Sequence, residues 1–308
     1  MRHYLSLDWN SNGVQIVSGS DDGGVRVWNT SSAEPIQMLQ SYIPDIWSVS
    51  WNPDDRLVAI GDSQTAIRVW DVTRNAVVAN YTGHGDSVAP NIRRGIAVVE
   101  WSPNGSFIAS GGYDGQVIVQ SATPDNAFGL KRFSARGGFV GSLSWSPDNQ
   151  ALLGADGAAA LWDVRTGEIL RTYNCSQDET DTFISVAMLN LEGSLVAGVE
   201  NDSLICIWDA NSGRLINTIS NARDVYKVVW RPGSELITII ESGGAEGIRR
   251  VRVLDALTGD EYATIEGQSN AESIAWSPDG TKLAIGHAGG TIGIWSVQAE
   301  NDDDHTAD

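Results

Sequence analysis

Residues 276–295 read "WSPDGTKLAIGHAGGTIGIW": a tryptophan, a tight polar turn, an apolar run, a glycine-rich turn and an alternating strand that ends on a second tryptophan. The phrase occurs six more times in the chain. Aligned on its opening residue, the copies begin at Trp9, Trp51, Trp101, Trp145, Leu189, Trp230 and Trp276, at steps of 42, 50, 44, 44, 41 and 46 residues. Self-similarity at that period marks a repeat array. The closing residue recurs as Trp28, Trp70, Gln120, Trp162, Trp208, Leu254 and Trp295, at the end of strands such as "VRVW" and "LICIW". Period-2 alternation between Asp- and Gly-rich turns predicts strands and leaves no amphipathic helix of useful length.

Six of the units continue into a fourth short strand: "IQML", "VVANY", "LKRF", "ILRTY", "LINTI" and "YATI". Four antiparallel strands make one twisted blade, and a sheet of that size cannot bury both faces alone. Radial stacking lets each blade cover its neighbours and limits exposed edges. The expected fold class is therefore all-β, a seven-bladed propeller over residues 1–297 followed by an acidic, disordered tail over 298–308. The seventh unit stops early. After Trp295 the chain runs into "QAENDDDHTAD", too acidic and too poor in β-branched residues for a strand. At the other end, Met1 leads almost at once into the inner strand "YLSLDW". Blade seven is thus expected to lack its outer strand, with the ring closed by side-chain packing between the first and last blades. The edge at "TIGIWSV" would accept an added strand from a second copy, a partner or residues upstream of Met1.

Composition narrows the partners. A formal charge of −19, with only three lysines (Lys131, Lys227, Lys282), repels phosphate backbones and anionic lipid, so no nucleic acid and no membrane are expected. No apolar run is long enough for a membrane span, and "MRHYLSLDWNSNG" lacks the features of a secretory signal, which gives a cytoplasmic expectation. Cys175 and Cys206 lie in different repeats and in different kinds of strand; a disulfide between them is open, but nothing in the sequence argues for it, and they read first as two small buried hydrophobes.

The chain resembles the WD40 family of β-propellers. The resemblance rests on the literal Trp70-Asp71, Trp162-Asp163 and Trp208-Asp209 pairs, the weaker Trp28-Asn29, Leu254-Asp255 and Trp295-Ser296, and the "SPDG"-like turns. Members often carry Gly-His before the inner strand, in a network of that His with a Ser or Thr, the turn Asp and the closing Trp. Only Gly83-His84 matches here; its repeat has Ser110 and Asp114, but Gln120 stands where Trp belongs. The resemblance therefore implies blades held mainly by apolar packing, with Trp28, Trp70, Trp162, Trp208 and Trp295 as structural anchors.

The chemistry-bearing residues do not converge in the sequence. His3, His84, His287 and His305 have no metal-ligand spacing, with His84 read as a turn residue bonding its own blade. Asp22, Asp62, Asp114, Asp156 and Asp202 recur at hairpin positions, and "GGAEGIRR" is no phosphate loop. No catalytic residue, metal ligand or cofactor site is expected, and the residues aligned with the channel rim are mostly Leu, Ala, Gly and Ser. Eleven of the twelve tryptophans are anchors; Trp47 is not. It opens an inner strand, at the position that Tyr226 fills in another repeat. The resemblance places both near the rim of the central channel, on the face that carries the binding loops. Arg93 and Arg94, in the long connection "GHGDSVAPNIRRGIAVVEW", and Arg136 and Arg223, in shorter ones, add positive charge there. The expected function is a non-catalytic scaffold binding a protein or peptide on that face. The alternatives are a channel-sited enzyme and a small-ligand sensor module of a larger signalling protein, since the repeats resemble bacterial WD40 arrays.

Overall fold

The computed structural model describes residues 4–32, 34–40, 45–85, 95–122, 131–134, 138–175, 183–243, 248–265 and 270–297. Every regular element within them is a strand. Blade one is β1 (Tyr4–Trp9), β2 (Gln15–Ser20), β3 (Gly24–Asn29) and β4 (Pro35–Gln40). Blade two is β5 (Ile46–Trp51), β6 (Leu57–Asp62), β7 (Ala66–Asp71) and β8 (Ala76–Thr82). Blade three is β9 (Ile96–Trp101), β10 (Phe107–Gly112), β11 (Gln116–Ser121) and β12 (Lys131–Ser134). Blade four is β13 (Ser142–Trp145), β14 (Ala151–Ala155), β15 (Ala159–Asp163) and β16 (Ile169–Tyr173). Blade five is β17 (Ile184–Leu189), β18 (Leu195–Glu200), β19 (Leu204–Asp209) and β20 (Leu215–Ile219). Blade six is β21 (Lys227–Trp230), β22 (Leu236–Ser242), β23 (Arg249–Asp255) and β24 (Glu261–Ile265). Blade seven has three strands, β25 (Ala271–Trp276), β26 (Lys282–His287) and β27 (Ile292–Ser296). Each blade is an antiparallel meander, and the inner strands touch in a closed ring, with β25 returning to β1. All six fourth strands read from the sequence are present. The expected tail, 298–308, lies outside the described residues.

Turn chemistry sets the blade geometry. Between second and third strands, Asp22 accepts the Gly24 amide, Asp62 that of Gln64 and Asp114 that of Gln116, the Asx turn expected of a repeated hairpin aspartate. Packing then follows from the order of strands. The third-strand anchors of blades four and five are covered by the outer strand of the preceding blade: Phe133 of β12 stacks on Trp162 at 6.2 Å, and Tyr173 of β16 leans on Trp208 at 5.7 Å. Trp70, Trp162 and Trp208 are accordingly buried. Trp28 is only half-buried, and the blade before it, blade seven, has three strands among the described residues. Trp295 is half-buried in a different setting: blade six, before it, has its outer strand, but β27 is itself the last strand of its sheet.

The cysteines correct the sequence reading: Cys175 and Cys206 form a disulfide. The repeat explains it. Cys175 follows β16 as Gly83 follows β8, and Cys206 sits in β19 as Ile118 sits in β11. A Cβ on Gly83 would lie 3.2 Å from the Ile118 side chain, so the two positions are neighbours in every blade pair that keeps this geometry. Two cysteines placed there meet, although they come from different repeats.

Removing an indole that the preceding blade covers leaves a cavity, so Trp162→Ala is expected to cost about 3–5 kcal/mol in urea unfolding. Trp28→Ala, at a half-buried site, should cost less than half of that. Equal costs would show that outer strands do not seal the anchors.

Candidate functional site

In each blade the start of the inner strand, the turn between second and third strands and the connection from the preceding outer strand share one end. That end carries three aromatic rings from three consecutive blades. Trp47, on β5, meets Tyr113 edge to face at 5.4 Å, and Tyr113 lies 4.5 Å from Phe139, just before β13. All three stay partly exposed. Trp47 rests on Gly95, where a Cβ would come within 2.6 Å of its ring and 2.7 Å of the Asp62 carbonyl, so only glycine admits the indole here.

Beneath the rings lies the Gly83-His84 unit. The His84 ring contacts the Asp114 carboxylate through Nδ1 at 3.0 Å and the Ser110 hydroxyl through Nε2 at 2.8 Å, and Asp114 also accepts the Gly85 amide. Tyr113, next to Asp114, donates its own amide to the Gly95 carbonyl. The network thus fixes both the turn that holds Tyr113 and the glycine under Trp47. It stops at Gln120, whose Nε2 has no partner among the described residues.

A second patch sits two blades away around the ring. Tyr226, half-exposed before β21, carries the Arg249 guanidinium 4.6 Å above its ring, and Arg249 is held by Glu272 at 3.6 Å and the Ala271 carbonyl at 3.1 Å. Arg223 is exposed beside it and donates its backbone amide to Glu241. Trp47 and Tyr226 therefore share a face without meeting. Arg93, Arg94 and Arg136 lie outside the described residues.

The channel holds polar groups that the sequence reading missed. Inner strands present their unpaired edge to the axis, and residues one and three places before the anchor reach the next blade along it. Ser6 and Asp8 accept the amides of Val49 and Trp51; Ser48 and Ser50 accept those of Val99 and Trp101; Ser142 and Ser144 accept those of Ala187 and Leu189. The signal was there, as Ser-x-Ser/Asp before the anchor. At the same depths the channel takes Glu100 and Lys227. Enclosure by protein pushes the Asp8 carboxyl up to about 7, against the Trp51 amide that favours its charged form. Desolvation, with the Asp8 charge adding and Lys227 opposing, raises Glu100 to about 8. Burial lowers Lys227. The expectation of no convergent polar set in the channel is thus corrected: three blades bring these charges together.

A profile described as "WD domain, G-beta repeat" matches residues 3–29, 34–71, 75–119 and 259–296, and one described as "Anaphase-promoting complex subunit 4 WD40 domain" matches residues 99–192. The chain is a WD40-repeat protein. Among proteins similar to this WD40 chain are Actin-interacting protein 1 of Drosophila melanogaster, 27% identical over 54% of the chain and 34% of that protein, and Cell division cycle 20.6, cofactor of APC complex, of Arabidopsis thaliana, 27% identical over 54% of the chain and 39% of that protein. WD repeat-containing protein 1 of Gallus gallus is 26% identical over 55% of the chain and 35% of that protein. The chain spans little more than a third of the length of these curated relatives. No helix among the described residues is long and apolar enough to cross a membrane.

The channel charges give this WD40 ring a pH dependence. Carboxyls raised in the folded state hold their protons more tightly there than in the unfolded chain. Their contribution is therefore full below about pH 4, where the unfolded groups titrate, and is lost as pH rises through about 7 and 8. Between pH 5 and pH 8 the melting temperature of Asp8→Asn should gain about 1–2 °C on the wild type, the shift that about 1 kcal/mol makes in a chain of this size once channel water is allowed for. Asparagine keeps an acceptor for Trp51. A difference that does not change with pH would refute the assignment.

Proposed function

We propose that the chain is a non-catalytic platform that binds a protein or peptide on the face bearing Trp47, Tyr113, Phe139, Arg223 and Tyr226. The observation that carries the reading is the aromatic row over three blades. It is pinned by Gly95 and the His84–Asp114 contact yet left partly exposed, and packing alone gives no reason to hold three rings so at a surface. Aromatic rings beside an exposed arginine are the chemistry of interface hot spots. Arg93, Arg94 and Arg136 belong to the same proposal through the sequence alone. The names of the similar proteins, an actin-interacting protein and a cofactor of the APC complex, support a protein partner of some kind. A channel enzyme is less well supported, because Asp8 is already engaged by the Trp51 amide and serves the ring. We place the protein in the cytoplasm, where the Cys175–Cys206 pair meets reducing thiols.

A second mode concerns the open blade. The bonds from Val297 to Thr281 and from His287 to Thr291 set the parity of β27, so the amides of Ile292, Ile294 and Ser296 face outward. Beside that edge runs a groove of about 500 Å³ lined by Ile16, Arg26, Trp28, Pro35, Ile292 and Ile294. Phe133 pairs with Val117 and Tyr173 with Ala159, positions equivalent to Ile292, and both rings cover the next anchor. A strand added to β27 would bring a bulky apolar residue opposite Ile292 and over Trp28.

One comparison separates the modes: partners captured from the native source by wild type, by Trp47→Ala/Tyr226→Ala and by Ile294→Pro, which removes an outward donor that β26 does not use. The face accounts for a partner lost only from the first variant, with unchanged melting. The edge accounts for one lost only from the second. Retention of every partner by both variants would remove both readings.

A further inference from the structure

The Cys175–Cys206 pair has a third neighbour. Glu200, at the end of β18, is 5% exposed, and its Oε1 has no hydrogen-bond partner among the described residues. The two sulfurs and a Glu200 oxygen lie within 4.8 Å of one another. A buried carboxylate oxygen without a donor is costly, and nothing in the surrounding packing explains it. Cys206 belongs to an apolar cluster with Leu153, Ala155, Ala159, Tyr173 and Trp208, against which Cys175 packs. Asn174, next to Cys175, is fixed by its carbonyl accepting the Trp208 indole at 3.1 Å. Cys206 is fully buried while Cys175 keeps partial exposure, so the cluster has a way in from solvent.

We propose that, once the disulfide is reduced, Cys175, Cys206 and Glu200 form a three-ligand site for a borderline-soft divalent cation of the zinc class. Two thiolates and a carboxylate suit such an ion, with water at the fourth position. Tetrahedral coordination wants sulfurs about 3.8 Å apart, a separation that side-chain rotation reaches between Cα atoms 5.9 Å apart. The balance is simple. A phosphine breaks the sulfur–sulfur bond and takes an oxygen from water to become the phosphine oxide, leaving two thiols; the cation then displaces two thiol protons. In the oxidised state the disulfide ties the connection after blade four to blade five; in the reduced state the ion would do so. Among the described residues, the Glu200 oxygen gains a partner in the second state.

The test uses the whole chain, reduced with a phosphine under argon, freed of it by gel filtration and titrated with cobalt(II). One cobalt per chain is expected, with thiolate charge-transfer absorption in the near ultraviolet and tetrahedral bands in the visible, both abolished by added zinc. The oxidised chain should show neither. Glu200→Gln keeps both thiols and should bind about tenfold more weakly or worse. The proposal is overturned if the reduced, natively folded chain with two titratable thiols gives no cobalt bands, or if Glu200→Gln binds as tightly as wild type. Loss of the native tryptophan fluorescence on reduction would also overturn it, since the cage must outlive the disulfide.

Discussion

The fold depends on one contact that the chain makes across its whole length: the Trp9 indole donates to the Ala275 carbonyl at 2.9 Å, and Leu7, Trp9 and Ile16 pack against Ala284. Without it the last blade would present an open face to water, and each earlier blade is stable only because both of its faces are covered. Trp145 repeats the contact on Glu100, and Trp230 on Met188. Where the indole does not reach back, another link replaces it. At the interfaces between blades one and two and between two and three, the Trp51 and Trp101 indoles have no partner among the described residues, and channel-facing Ser and Asp side chains cap the backbone amides instead. Leu189 has no indole to offer, and its strand is capped by Ser142 and Ser144. Between blades six and seven, Trp276 uses the Thr238 hydroxyl. The residues just before each anchor thus decide how a blade joins the next.

Outer links vary in the same way. His84, Ser110 and Asp114 fasten the connection after blade two to blade three, and the Cys175–Cys206 disulfide fastens the connection after blade four to blade five at an equivalent place. Arg252 of blade six is buried between Glu241 and Glu261, and Arg250 also reaches Glu241, a charge network within one blade. A charged pair buried in this way specifies geometry more than it stabilises. Among the described residues the closure of the ring adds no outer strand, so Trp28 is less buried than Trp70 and β27 ends its sheet.

The architecture was legible because each anchor is a large residue between two turns whose chemistry is local, so spacing alone revealed seven units, six outer strands and the short last blade. Trp47 stood out because it broke the repeat. Tyr113 and Phe139 did not, since they lie in a turn and a connection where no periodicity applies, and only the ring of blades brings them beside Trp47. Asp8 and Glu100 sit one place before an anchor and Lys227 three places before one; they look unrelated until the inner strands are set around an axis. The disulfide was hidden for a related reason, as its partners align with Gly83 and Ile118, a contact between blades that no single repeat displays.

The central claim is that packing of β1 on β25 and β26 closes the ring while β27 keeps an unpaired edge. Amide hydrogen exchange resolved by residue tests it most directly. Gly293, Trp295 and Val297, which face β26, should exchange slowly, and Ile292, Ile294 and Ser296 at rates near those of open strand edges, with the β1 amides that face β2 and the β25 amides that face β26 protected to the level of global unfolding. Slow exchange at Ile292 and Ile294 in the isolated chain, or fast exchange throughout β1 and β25, would contradict the account.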